Sequence, residues 1–119
     1  MKKQLLPCPD SPNCVSTLAH NAKKRMDPLP FTGDSTSAFH RLKSTVAALP
    51  RFQLIDETPD YLHFTARTRF GGFIDDVEFR LDAARQRIDF RSASRVGYSD
   101  LGANKRRMRR IQRLWAEGK

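Results

Sequence analysis

The stretch "RSASRVGYSDLGANKRR", residues 91–107, gathers the residue types best suited to chemistry in this chain. Arginine presents a planar fork that grips a carboxylate or phosphate through two parallel hydrogen bonds. The N-terminus of a helix adds unpaired backbone N–H groups and a partial positive charge. Arg91, Arg95, the hydroxyls of Ser92, Ser94, Tyr98 and Ser99, Asp100 and Asn104 all lie at or just before such a helix start. With Asp75 and Glu78 from the upstream segment "FIDDVEFRLD", they form the candidate ligand-binding set. Two readings compete for it. In one, Asp75, the serines and a capping Asp100 satisfy backbone groups and hold a tight bend. In the other, Arg95 and the helix start clamp an anion.

No complete catalytic set accompanies these residues. A Walker-type phosphate loop, a GxSxG nucleophile turn and a zinc-protease helix motif are all missing from the sequence. His63 has no nucleophile placed beside it by sequence. An enzyme would have to use Asp75 or Glu78 as acid or base, with Arg95 as electrostatic stabiliser. Cys8 and Cys14, in "CPDSPNC", are the redox or disulfide candidates. They cannot build a structural zinc site alone, and His20, His40 and His63 stand at no ligand-like spacing from them. No metal and no cofactor are expected. Free thiols are the expectation in a reducing cytoplasm, with a small disulfide loop as the alternative.

The elements that must position these residues are legible. Residues 1–33 carry five prolines among polar residues and read as an irregular arm, anchored by Leu29 and Phe31. Residues 34–119 read as the α+β core, arm and core together making one domain. Phe39, Leu42, Val46 and Leu49 recur at helical spacing, with a polar cap at Asp34 or Ser35 and Pro50 as the stop. Alternating runs near 52–56, 61–69, 74–82 and 87–94 read as four strands of an antiparallel meander. A final helix over Leu101–Glu117 places Leu101, Met108, Ile111, Leu114 and Trp115 on one stripe, capped by Ser99 or Asp100. The expected fold is two-layered, with both helices on one sheet face.

Register follows from the turns. A two-residue Gly71-Gly72 hairpin pairs Phe70 with Phe73, Leu62 with Leu81, Phe64 with Phe79 and Arg67 with Asp76. A four-residue "AARQ" loop pairs Asp82 with Arg87, Phe79 with Phe90, Arg80 with Asp89 and Glu78 with Arg91. Large apolar residues then share one face, and the other face carries an exposed ladder of opposite charges. Asp75 falls on the apolar face near Thr68, Ser92 and Ser94. Phe52 and Leu54 oppose Ile55, so the first strand needs a bulge or a covered outer face.

The chain has 119 residues, 22 Lys and Arg against 13 Asp and Glu, and a net charge of +9. That balance favours anionic partners and raises nucleic acid or a lipid surface. Six bases lie between Lys105 and Arg113, and without them the net charge falls to +3. No apolar run approaches the roughly 20 residues a membrane helix needs. A signal peptide is also lacking, so a cytoplasmic location is expected. The leading functional expectation is a non-enzymatic binding or accessory module that recognises an anionic small molecule or an acidic protein surface. Nucleic-acid binding through the basic last helix and a carboxylate-based enzyme are the alternatives.

Three phrases, "CPDSPNCVS", "FIDDVEFRLD" and "RSASRVGYSDLGANKRR", together resemble the family catalogued as domain of unknown function 1499, from Leu6 to about Leu114. The resemblance implies no particular activity, substrate or cofactor. Members look like small bacterial and plastid proteins, many with an N-terminal targeting or membrane segment that is not seen in this sequence. The phrases coincide with the candidate set: Asp75, Asp76, Glu78 and Arg80 lie in the second, and Arg91 to Asn104 in the third.

Overall fold

The computed structural model describes residues 4–9, 11–97 and 100–118. Its elements are β1 (Cys14–Ser16), β2 (Leu29–Pro30), α1 (Ser35–Ala47), β3 (Phe52–Thr58), β4 (Tyr61–Arg67), β5 (Ile74–Asp82), β6 (Arg87–Ser94) and α2 (Ala103–Ala116). The sheet runs in the order β1-β6-β5-β4-β3, with β2 also paired to β6, and every pairing is antiparallel. The fold is thus α+β around an antiparallel sheet of six strands, two more than expected. Both extra strands come from the arm. Its prolines leave Cys14–Ser16 free to use the open edge of β6, and Leu29 and Phe31 are buried as anchors.

Helix α1 begins where Asp34 accepts a hydrogen bond from the Ser37 N–H at 2.8 Å. It buries Phe39, Leu42 and Val46 against the sheet. The core is continuous: Leu62, Phe64 and Ala66 of β4, Val77 and Phe79 of β5, and Ile88 and Phe90 of β6 meet Met108, Ile111 and Trp115 of α2. Phe64 touches both Phe52 and Phe79 edge to face, at centroid distances of 6.3 and 6.1 Å. Leu101 is not part of the α2 stripe. It precedes the helix with φ of 54° and is exposed, and Gly102 takes the cap position in the left-handed region.

The β5–β6 register is the expected one, from Asp82 opposite Arg87 to Asp75 opposite Ser94. The β4–β5 register differs by two residues: Leu62 faces Phe79, Phe64 faces Val77 and Thr65 faces Asp76. A shift of two preserves which face each side chain occupies but changes every partner. Its cause lies in the turn. Thr68 donates its hydroxyl to the Phe70 carbonyl at 3.0 Å and accepts from the Phe73 N–H at 2.8 Å. The Thr68 N–H meets the Phe73 carbonyl, so the loop spans four residues rather than the two glycines. In β3 the register breaks between Leu54 and Asp56, and Ile55 bulges outward.

The outer face is not an exposed ladder. Glu78, Asp89 and Arg91 are buried there with Tyr61. Thr17 donates to Asp89 at 2.8 Å and accepts from the Phe90 N–H, so part of the arm closes over this side of β6.

Candidate functional site

Strand starts and ends alternate in an antiparallel sheet, so the start of β3, the end of β4, the start of β5 and the end of β6 meet at one pole. The end of α1 and the start of α2 lie at this pole too. There the structure opens a cleft of about 880 Å³, lined among others by Leu49, Phe52, Phe73, Asp75, Ser94 and Leu101.

Its inner wall is a closed polar network. Arg107 donates through Nη2 to Asp75 Oδ2 at 2.7 Å and through Nη1 to Asn104 Oδ1 at 2.9 Å. The Ser92 hydroxyl donates to the same Asn104 oxygen at 2.6 Å. Asn104 Nδ2 reaches Asp100 Oδ2, Ser94 Oγ and the Asn13 carbonyl at 2.6, 3.0 and 3.1 Å. Asp75, Ser92 and Asn104 are all buried. Buried groups in a low-dielectric interior must pair with one another, and these do. Asp75, Ser92, Ser94, Asp100 and Asn104 therefore converge, and what they build is the joint between α2 and the sheet.

Asp100 occupies the place a bound anion would take. Its carboxylate accepts from the Gly102 N–H at 2.8 Å and the Asn104 N–H at 3.0 Å. Burial alone would raise its pKa. The hydrogen bonds from Asn104 and Gly102 outweigh that and hold the carboxyl below the usual value. The α2 N-terminus carries its own anion.

Three expected members stand elsewhere. Glu78 and Arg91 face the opposite side of the sheet from Asp75, because their parity along the strands differs. Arg91 donates to Glu78 at 3.0 Å, and the Tyr61 hydroxyl donates to the other carboxylate oxygen. Burial, followed by the Glu78 hydrogen bond and charge, pushes the Tyr61 pKa well up. Arg95 also turns to the outer side, gripping Asp76 through Nε and Nη2 at 3.0 and 2.9 Å, while His63 meets the same carboxylate at 2.8 Å. Burial acts to raise the Asp76 pKa, but Arg95 and His63 carry it below its ordinary value. Asp75 and Glu78 thus do not share a site. Tyr98 and Ser99 lie outside the described residues.

Cys8 and Cys14 are joined in a disulfide with Cα atoms 5.7 Å apart, rather than standing as free thiols. Among the described residues no cluster of three or more His, Cys, Asp or Glu is placed to hold a metal. None of the described helices is long and apolar enough to cross a membrane.

Two participants were not singled out from sequence. Arg107 stands three residues after Asn104, one helical turn along the same face, which is a usable signal. Asn13 gave none: its carbonyl reaches α2 only because β1 pairs beside β6. The cleft also gathers Arg51, Arg67, Arg69, Arg106 and Arg110. Among the described residues none of these five is in an ion pair.

Fold and site together define a small α+β domain with a six-stranded antiparallel sheet and an arginine-lined cleft at one pole. The chain belongs to the family described as "Protein of unknown function (DUF1499)", whose model matches residues 4–114. Neither the search of curated proteins nor the search of solved structures found a match.

Proposed function

We propose that this protein is a non-enzymatic binding module for an anionic small molecule, held by the arginines of the cleft at the pole where α2 begins. The observation that carries this reading is the set of five cleft arginines, Arg51, Arg67, Arg69, Arg106 and Arg110, with no carboxylate pairing them among the described residues. Among the described residues Arg106 and Arg67 bond to neutral carbonyls, at Leu101 and Gly72. Their charge is left for a ligand to neutralise. Arg91, Arg95 and Arg107 are already committed to Glu78, Asp76 and Asp75, so the anion belongs to the cleft arginines instead. An acidic protein side chain entering the same cleft would meet the same chemistry.

Calorimetric titration with inorganic phosphate, small di- and tricarboxylates and nucleotides at low salt tests this. One anion class should bind, and Arg106→Ala with Arg110→Ala should weaken it by about tenfold or more. Arg95→Ala should leave it unchanged. Absence of binding by every anion, or full affinity in the double variant, would overturn the proposal.

A second reading rests on α2 itself, where Lys105, Arg106, Arg109, Arg110 and Arg113 are exposed. A nucleic-acid backbone would fit such a face. Affinity for short DNA or RNA should then fall steeply and linearly on a log–log plot against salt, whereas a flat response would exclude it.

A further inference from the structure

Phe70 is 80% exposed, Phe73 57%, Val96 63% and Leu101 85%. Single exposed apolar residues are common and mean little. These four differ because they border one cleft, at one pole, and come from only two loops: the β4–β5 turn and the segment between β6 and α2. The loops are shaped to present them. Gly71, Gly72, Gly97 and Gly102 all take positive φ between 64° and 89°, which turns the chain sharply beside each apolar tip. Neither pair packs into the hydrophobic core.

Among the described residues the charge around these tips is one-sided. Arg51, Arg67, Arg69, Arg106 and Arg110 border the same cleft. Its two acids, Asp75 and Asp100, are engaged by Arg107 and by the first turn of α2. Exposed apolar tips beside arginines that no described carboxylate pairs match the chemistry of an anionic bilayer surface, where acyl chains lie next to charged headgroups. A water-soluble acidic partner would satisfy the arginines but leave Phe70 and Leu101 without a reason to protrude.

We propose that this pole docks on an anionic membrane surface, with Phe70, Phe73, Val96 and Leu101 entering the acyl boundary and the five arginines lying at headgroup depth. The inference goes beyond the small-anion reading and does not depend on it, since it rests on the exposed apolar tips.

The test is co-sedimentation of the full chain with vesicles of phosphatidylcholine alone, and of phosphatidylcholine with phosphatidylglycerol. Binding is expected only to the anionic vesicles. It should fall by roughly tenfold or more in the Phe70→Ser/Phe73→Ser variant, whose circular dichroism should match the wild type because neither side chain is in the core. A Phe70→Trp variant supplies a second readout, with emission quenched by brominated acyl chains while the buried Trp115 is not. Failure of the anionic vesicles to bind would overturn the proposal, as would binding that keeps full strength without the two phenylalanines. Concentration-dependent dimerisation by light scattering, abolished in the same variant, would assign the tips to a second copy instead and overturn it too. Phosphate binding without vesicle binding would leave the small-anion reading standing and remove this one.

Discussion

Arg107 of α2 and Asp75 of β5 meet at 2.7 Å across 32 residues of sequence, and both side chains are largely shielded from water. The pair decides how α2 sits on the sheet, because Arg107 simultaneously holds Asn104 and Ser92. Removing one partner leaves a buried charge uncompensated, which typically costs about 3–5 kcal/mol.

Asp75→Leu and Arg107→Met are therefore each expected to lower unfolding free energy by about 3 kcal/mol in urea titrations. The double variant Asp75→Leu/Arg107→Met should lose less than the two single losses added together, since neither charge is stranded. Strict additivity would show that the contact does not couple the two residues.

Asn104 joins five partners through one amide. Asn104→Ala removes the shared acceptor of the Ser92 hydroxyl and an Arg107 N–H, and one of the two donors to the Asn13 carbonyl, for a loss of about 2 kcal/mol. Amide exchange in the first turns of α2 should rise more than exchange in α1, because Asn104 pins the beginning of the helix. Equal acceleration in both helices would assign the loss to global stability alone.

The Asp100 carboxylate, bonded to the N–H groups of Gly102 and Asn104, makes stability depend on acid. Its folded pKa lies below the ordinary value of 3.8, so the folded state binds fewer protons than the unfolded one. The contribution is full above that ordinary value and is lost as pH falls through the depressed folded value. Asp100→Asn should cost about 1 kcal/mol at pH 7, and the gap from wild type should close as pH falls through the depressed folded value. Asp76→Asn should show the same direction, with Arg95 and His63 losing their common acceptor. A gap that widens in acid would contradict both assignments.

The Cys8–Cys14 bond closes a short loop with a sequence separation of 6. Loops of that size restrain the unfolded chain by about 2 kcal/mol in the chain-entropy account. Cys8→Ser/Cys14→Ser, or reduction, should cost that much without unfolding the sheet, since β6 also pairs with β5. Such a bond persists in an oxidising compartment and opens in a reducing one. Differential alkylation of protein taken directly from cells reads which state prevails.

Local pattern alone was enough to place α1, the four long strands and the body of α2, though not the start of α2, where Leu101 lies outside the helix. Phe39, Leu42 and Val46 repeat at helical spacing, and the alternation in β4, β5 and β6 assigned each side chain to a face, because the pleat has a period of two. The same alternation placed Glu78 and Arg91 opposite Asp75, although all three belong to one set of motifs. The β5–β6 register was legible because Asp82 and Arg87 frame a loop of ordinary length. The β4–β5 register was not, since the Thr68 hydroxyl, rather than the glycines, chose the turn.

Only the tertiary structure decided which charge meets which. Arg95 found Asp76 rather than the start of α2, Asp100 filled that helix end itself, and Arg107 took Asp75. Such pairings depend on distances of a few ångströms between elements far apart in sequence, and residue spacing carries no information at that scale. The arm's pairing with β6 has the same origin. An open strand edge accepts any extended backbone that reaches it, so Cys14–Ser16 became a strand through its neighbour rather than through its own composition.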